Sequence, residues 1–162
     1  MENKFNTPKV LTNKEILKKM EHFCAYQERC HEDVVSKLYD FYLSEEEKSE
    51  IIFELIQSNY LNEERFASLF SISKFHQKKW GKIRITNELK FRKISAYLIK
   101  KSIAEIPTTE YLETFEILAE KTWDSIREKN RIKKRKKFCD SLLRKGWESD
   151  WVYKKAVELE EK

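Results

Sequence analysis

The chain has 162 residues, 40% of them hydrophobic and 38% charged. That is too much apolar and aromatic material for a disordered chain, yet polar enough that every buried face must be narrow. No run approaches the roughly 18 apolar residues of a membrane span, and Met1 to Val10 contain no hydrophobic stretch like that of a secretory signal. Cys24, Cys30 and Cys139 are odd in number and irregularly spaced, which suits the reducing cytoplasm and argues against a disulfide framework. The net charge of +5 hides an asymmetry. Lys74–Lys101 carries ten Lys/Arg against one Glu, a net of +9, and Arg127–Lys145 carries ten against two, a net of +8. The rest of the chain is left at −12. Two basic segments in an otherwise acidic chain speak to partners rather than to fold.

Two Gly and two Pro leave little room for turn-rich β structure, and the apolar spacing is helical almost everywhere. Residues 1–10 are expected to form a flexible tail. Thr12 with Glu15 makes a capping box ahead of Ile16, Met20 and Phe23. A second helix from about Asp33 carries Val34, Leu38 and Phe41. Ser44 with Glu47 opens a third, bearing Ile51, Ile52, Leu55 and Ile56. Asn62 is expected to cap a fourth, whose first turn, Glu63-Glu64, suits the helix dipole. Phe66, Leu69, Phe70 and Ser73 line one side of it. After Gly81 a helix bears Ile85 and Leu89. Ser95 starts the next, with Leu98, Ile99 and Ile103, and Pro107 stops it. Thr108 or Thr109 caps a long seventh helix with Tyr111, Phe115, Leu118 and Thr122. The eighth carries Phe138, Cys139, Leu142 and Leu143 and ends at Gly146. The ninth holds Val152, Tyr153, Ala156 and Val157.

Leu38, Leu89 and Leu142 end the middle helices, each five residues ahead of Leu43, Ile94 and Trp147. The leucines lie 51 and 53 residues apart. A long, a middle and a short helix therefore recur three times, as in a repeat array. The expected fold is all-α, with three tandem three-helix repeats in an elongated, curved array over residues 11–61, 62–107 and 108–162. Trp147, sharing the position of Leu43 and Ile94, is expected to be buried.

Four stretches carry a family likeness. Cys24-Ala25-Tyr26-Gln27-Glu28-Arg29 with Lys37-Leu38 resembles the first-repeat motif of the RecX regulatory proteins. Asn59-Tyr60-Leu61-Asn62-Glu63-Glu64-Arg65-Phe66-Ala67 resembles their junction into the second repeat. Lys78-Lys79-Trp80-Gly81-Lys82-Ile83 with Glu88-Leu89, and Leu142-Leu143-Arg144-Lys145-Gly146-Trp147, resemble two later motifs. The likeness runs from about Leu11 to Leu159, in order. At four positions the chain departs from the family pattern. Tyr42 and Lys93 stand where the family usually has Gly, Cys30 where Ser is common, and Glu148 where a capping Ser is expected, a role that falls to Ser149. The resemblance implies a modulator of the RecA recombinase. Such a protein lies in the groove of the RecA filament on single-stranded DNA and usually suppresses filament growth, ATP hydrolysis and strand exchange. It brings no catalytic residue and no cofactor, and a monomer is expected.

Lys78, Lys79, Lys82, Arg84, Lys90, Arg92 and Lys93, with Trp80 and Phe91 among them, are candidate contacts to an anionic partner, such as DNA phosphates or an acidic groove. Lys133, Lys134, Arg135, Lys136 and Lys137 are a second set. At about 100° per residue they wrap the helix, so at least one must lay its stem on the core. A plain solvated helix face competes with both readings. His22, Cys24, Cys30 and His31 lack the short cysteine pairs of structural zinc sites, and Cys24 falls on an apolar stripe. No phosphate loop, nucleophile elbow or triad is present, so no enzyme is expected. The alternative to a filament regulator is a free-standing nucleic-acid binder using the two basic segments.

Overall fold

The computed structural model describes residues 11–161, and the expected N-terminal tail lies outside them. Among the described residues the regular structure is helical throughout, in nine helices. The chain divides between Asn62 and Glu63 into two compact units.

The first unit holds α1 (Asn13–Tyr26), α2 (His31–Leu38) and α3 (Glu45–Gln57). Capping boxes start α1 at Thr12 and α3 at Ser44 as the sequence predicts, each hydroxyl accepting a backbone N–H while the glutamate three residues on accepts one in return. Asn13 ties the two starts together, its Nδ2 donating to Glu47 Oε1 at 2.9 Å. α2 begins at His31, earlier than expected, because the Asp33 carboxylate accepts the Cys30 N–H at 3.2 Å and stabilises that turn. Ile16, Met20, Cys24, Val34, Leu38, Ile51, Leu55 and Leu61 form the core, with Leu43 partly buried against it.

The second unit holds α4 (Glu63–Lys78), α5 (Lys82–Phe91), α6 (Ala96–Ala104), α7 (Thr108–Ser125), α8 (Arg131–Arg144) and α9 (Ser149–Glu161). The buried stripe of α4 runs through Phe66, Ala67, Ser71 and Phe75, while Leu69, expected inside, is 52% exposed. The small residues win this face because α6 crosses it: Ser71 Oγ donates to Ser102 Oγ at 3.1 Å, and Ser102 Oγ to the Ile99 carbonyl. Neither threonine caps α7. Pro107 is its N-cap and Thr108 its first residue, since a fixed φ near −61° suits a helix start. Asn130 Oδ1 caps α8 by accepting the Lys133 N–H at 3.0 Å.

The five-residue step read in the sequence has a hydrogen-bond cause in this unit. At the end of α5, Lys93 N–H bonds to the Lys90 carbonyl and Ile94 N–H to that of Leu89. At the end of α8, Gly146 N–H bonds to Leu143 and Trp147 N–H to Leu142. Both are Schellman motifs, which require a left-handed residue just past the helix and bring an apolar residue back onto the last turn. Lys93 (φ 57°) and Gly146 (φ 85°) supply the turn, while Ile94 and Trp147 supply the apolar return. The first unit solves the same turn differently. Asp40 and Phe41 bond back to Lys37 and Leu38, and Leu43 to Phe41, with no positive φ at Tyr42.

The two glycines of the chain meet inside this unit. A Cβ on Gly81 would lie 2.1 Å from the Gly146 carbonyl oxygen, and one on Gly146 would lie 2.3 Å from the Arg84 backbone nitrogen. Gly81 N–H donates to the Lys145 carbonyl at 2.8 Å, and Ile83 N–H to that of Gly146 at 3.2 Å. Gly81→Ala and Gly146→Ala should therefore each lower unfolding stability by at least about 2 kcal/mol. Lys93→Gly, at the matching turn with no such contact, should raise it by up to about 1 kcal/mol. Urea unfolding followed by circular dichroism measures both, and equal effects at positions 93 and 146 would contradict this account.

Candidate functional site

The α4–α5 turn lies against the α8–α9 turn. Trp147 is 1% exposed, as its repeat position predicts. Its ring lies 4.5 Å from that of Tyr111 and 5.3 Å from that of Phe115, and its Nε1 donates to the Lys79 carbonyl at 3.2 Å. Lys145 Nζ donates to the Lys78 carbonyl at 3.0 Å. Burial, then the nearby charges of Arg84 and Lys78, push the Lys145 amine below the usual lysine range.

Tyr111 completes the junction. Its hydroxyl accepts the Lys82 N–H, the first of α5, at 2.9 Å and donates to the Glu148 carboxylate at 2.9 Å. Gly81 has no side chain to cap α5, so a tyrosine from α7 does so. Glu148, found where a capping serine was expected, serves as acceptor for that hydroxyl. Ser149 does not stand ahead of α9 as a cap but is its first residue. Burial, opposed by the Lys82 N–H and aided by the Glu148 charge, drives the Tyr111 hydroxyl far above its ordinary range. This network is not visible in spacing alone. The signals available were the two lone glycines and the uncapped start at Gly81.

The structure sorts the cations of the middle segment into two kinds. The Arg84 guanidinium lies 4.0 Å over the Trp80 ring, and its Nη1 donates to the Arg144 carbonyl. Arg92 lies over Phe70 and bonds Glu88 at 3.0 Å. Lys82 lies 4.6 Å over the Tyr111 ring. These three are half-buried and engaged within the unit. Lys78, Lys79, Lys90 and Lys93 are exposed, Lys79 with a left-handed φ of 54°.

On α8, Lys134 is half-buried, with its Nζ 4.5 Å over the Trp123 ring. Lys137 pairs with Glu128 at 3.0 Å and Arg135 with Glu160 at 3.5 Å, while Lys133 and Lys136 are exposed. Of the family-motif residues, Leu38, Phe66, Gly81, Leu89, Leu142, Gly146 and Trp147 are buried, and Arg65 and Trp80 are half-buried. Arg29 lies 4.1 Å over the Phe23 ring, and Tyr26 is exposed. Cys24 packs in the core of the first unit. Among the described residues no helix is long and apolar enough to cross a membrane.

These features define a protein of helical repeats with a basic middle segment. Residues 62–103 match the family model described as RecX, second three-helix domain. The chain is 25% identical over 155 residues to the regulatory protein RecX of Bacillus cytotoxicus, covering 94% of this chain and 57% of that protein. It is 24% identical over 146 residues to that of Bacillus thuringiensis, covering 88% and 54%. The chain thus spans little more than half the length of these curated relatives. A crystal structure of regulatory protein RecX shares the fold with a TM-score of 0.79 at 20% identity, over 90% of this chain and 73% of that one. The crystal structure of RecX from Lactobacillus salivarius does so at 0.75 and 21%, over 92% and 96%. In sequence and in fold the chain is similar to the RecX regulatory proteins.

Trp147→Ala should cost about 3–5 kcal/mol as a buried aromatic truncation. Tyr111→Phe should cost about 1–3 kcal/mol, since it strands the Lys82 N–H and the Glu148 carboxylate. The raised tyrosine has a pH signature. Its contribution is complete below the unfolded value of 10.0 and falls by about 1.4 kcal/mol per pH unit above it. Urea midpoints from pH 9 to 11 should therefore decline less steeply in Tyr111→Phe than in the parent, and parallel curves would contradict the assignment.

Proposed function

We propose that the chain binds the RecA–single-stranded DNA filament in the cytoplasm and inhibits its ATPase and recombinase activities, acting as three repeat units over residues 11–61, 62–107 and 108–162. The supporting observation is the pairing of Lys78 with Lys79 and of Lys90 with Lys93. All four are exposed on the stretch that matches the second RecX three-helix domain. A filament coated on nucleic acid offers repeated anionic surface, and a repeat protein gains affinity by touching several subunits at once. This reading assigns contact to the exposed cations and a structural role to Lys82, Arg84 and Arg92. It involves no catalysis and no membrane.

Each exposed contact is worth little alone, so the test combines them. Charge reversal at Lys78, Lys79, Lys90 and Lys93 together should remove on the order of 2 kcal/mol. The concentration that half-inhibits the DNA-dependent ATPase of RecA should then rise tenfold or more, with an unchanged circular dichroism spectrum. Inhibition at the parent's concentration would reject this surface. Equal affinity for single-stranded DNA with and without RecA, and no effect on the ATPase, would favour the free-standing nucleic-acid binder instead.

A further inference from the structure

The exposed side of α8 forms the floor of a trough that the core of the second unit does not use. Toward α5 it opens into a concavity of about 620 Å³, where Ile83, Phe91 and Leu143 are apolar lining residues. Toward α9 it opens into another of about 550 Å³, lined by Ile132, Tyr153 and again Leu143. On α8 the lining positions 132, 135, 136, 139 and 143 follow the i, i+3, i+4, i+7 spacing of a single helix face. The trough therefore follows the whole helix, about 21 Å for its 14 residues. Its apolar groups are open to solvent, Phe91 at 84% and Ile132 at 80%. Such an apolar strip rimmed by polar groups marks an interaction site.

The rim selects the occupant by charge. Arg84 and Arg144 stand at the α5 end, and Arg131, Arg135 and Lys136 at the other. Of the three acidic groups in the lining, Glu88 is paired with Arg92 at 3.0 Å and Glu160 with Arg135 at 3.5 Å and Arg131 at 3.9 Å, which leaves Asp140 against Arg84, Arg144 and Lys136. A nucleic acid would set phosphates against the aliphatic strip of Ile83, Leu143 and Ile132, and only Phe91 and Tyr153 offer it rings for stacking. An amphipathic helix satisfies both parts, its apolar stripe against the floor and its acidic flanks against the arginines.

We propose that this trough docks an acidic amphipathic helix of a protein partner, about four turns long, along α8. The inference rests on the regulatory reading only in supposing a protein partner, and the measurement below does not need the filament. The probe is a fluorescein-labelled 16-residue peptide with Leu at i, i+3, i+4 and i+7 spacing and Glu elsewhere. Its control has Lys in place of Glu, and a labelled thymidine oligonucleotide is run beside them in anisotropy titrations. The acidic peptide should bind at least tenfold more tightly than the basic one. It should lose at least fivefold in the double variant Phe91→Ala, Ile132→Ala, and again in Arg144→Glu, all three being exposed positions that leave the melting curve in place. Amide shifts in the nitrogen-15 spectrum should follow residues 132–143 and Phe91.

No preference for the acidic peptide, shifts on another surface, or unaltered binding in both variants would overturn the proposal. So would the oligonucleotide, rather than the peptide, losing affinity in those variants. Self-association that the variants abolish would also overturn it, by making a second copy the occupant. If the peptide results hold but RecA's ATPase is untouched, the trough stands and the filament reading falls. If the ATPase is inhibited but the peptides do not discriminate, the filament reading stands and the trough falls.

Discussion

The second unit depends on two backbones approaching where only glycine allows it. With Gly81 and Gly146 in contact, four further links fall within hydrogen-bond reach: Gly81 to Lys145, Ile83 to Gly146, Trp147 to Lys79, and Lys82 to Tyr111. Three of these involve orphan backbone groups at helix ends, which must find partners if buried. α5 thus starts on hydrogen bonds supplied by α7 and by the α8–α9 turn, and its rotation is set by its neighbours rather than by a cap of its own. The aromatic group of Tyr111, Phe115, Trp147 and Trp151 fills the space beside this contact, with ring centroids 4.5 to 5.7 Å apart. Burial there adds the nonspecific part of the stability, while the glycine contact sets which geometry receives it.

The same junction decides which cations are available. A positive segment that folds on itself must place some charges near one another. Here burial first, and then the nearby charges of Arg84 and Lys78, leave the Lys145 proton held less firmly. The arrangement is tolerable because Arg84 spreads its charge over the Trp80 ring and Lys145 donates to a carbonyl. The surplus is pushed outward to the helix ends. Lys78 and Lys79 flank one end of the α4–α5 turn, and Lys90 and Lys93 lie around the end of α5. A run of like charges in sequence therefore becomes two exposed pairs, with Lys82 and Arg84 turned inward between them and Arg92 turned inward within the second.

Most of the helical layout was legible in the chain. Capping boxes at Thr12 and Ser44, the Ser95 cap and the leucine register each rest on interactions within four or five residues, which a sequence displays directly. The family motifs were legible for the same reason, since most of their buried members belong to helix ends. What could not be read was decided by neighbours distant in sequence. Leu69, Ile56, Tyr153 and Val157 lie on apolar stripes yet remain exposed, because a helical period shows that a stripe exists and not how wide the covering element is. Glu148 read as a missing cap, when its partner stands 37 residues away. The basic segment read as one surface, and the split between Arg84 or Arg92 and the outer lysines appeared only with Trp80, Phe70 and Glu88 in place.

Two of the outer lysines occupy positions that stability alone would assign otherwise. Lys79 and Lys93 have φ of 54° and 57°, where a side chain costs roughly 1 kcal/mol or more and glycine costs nothing sterically. At the end of α8, the counterpart of the turn at Lys93, the chain does use glycine, at Gly146. There the choice was forced by the Arg84 backbone, since a Cβ would collide with it. At 79 and 93 no such collision operates, so either residue type is sterically permitted, and the charged one is present at both. Both left-handed lysines nevertheless serve the fold: Lys93 closes the turn that returns Ile94 to α5, and the Lys79 carbonyl accepts the Trp147 Nε1 hydrogen bond, so each exposed charge stands on a backbone position fixed by the core.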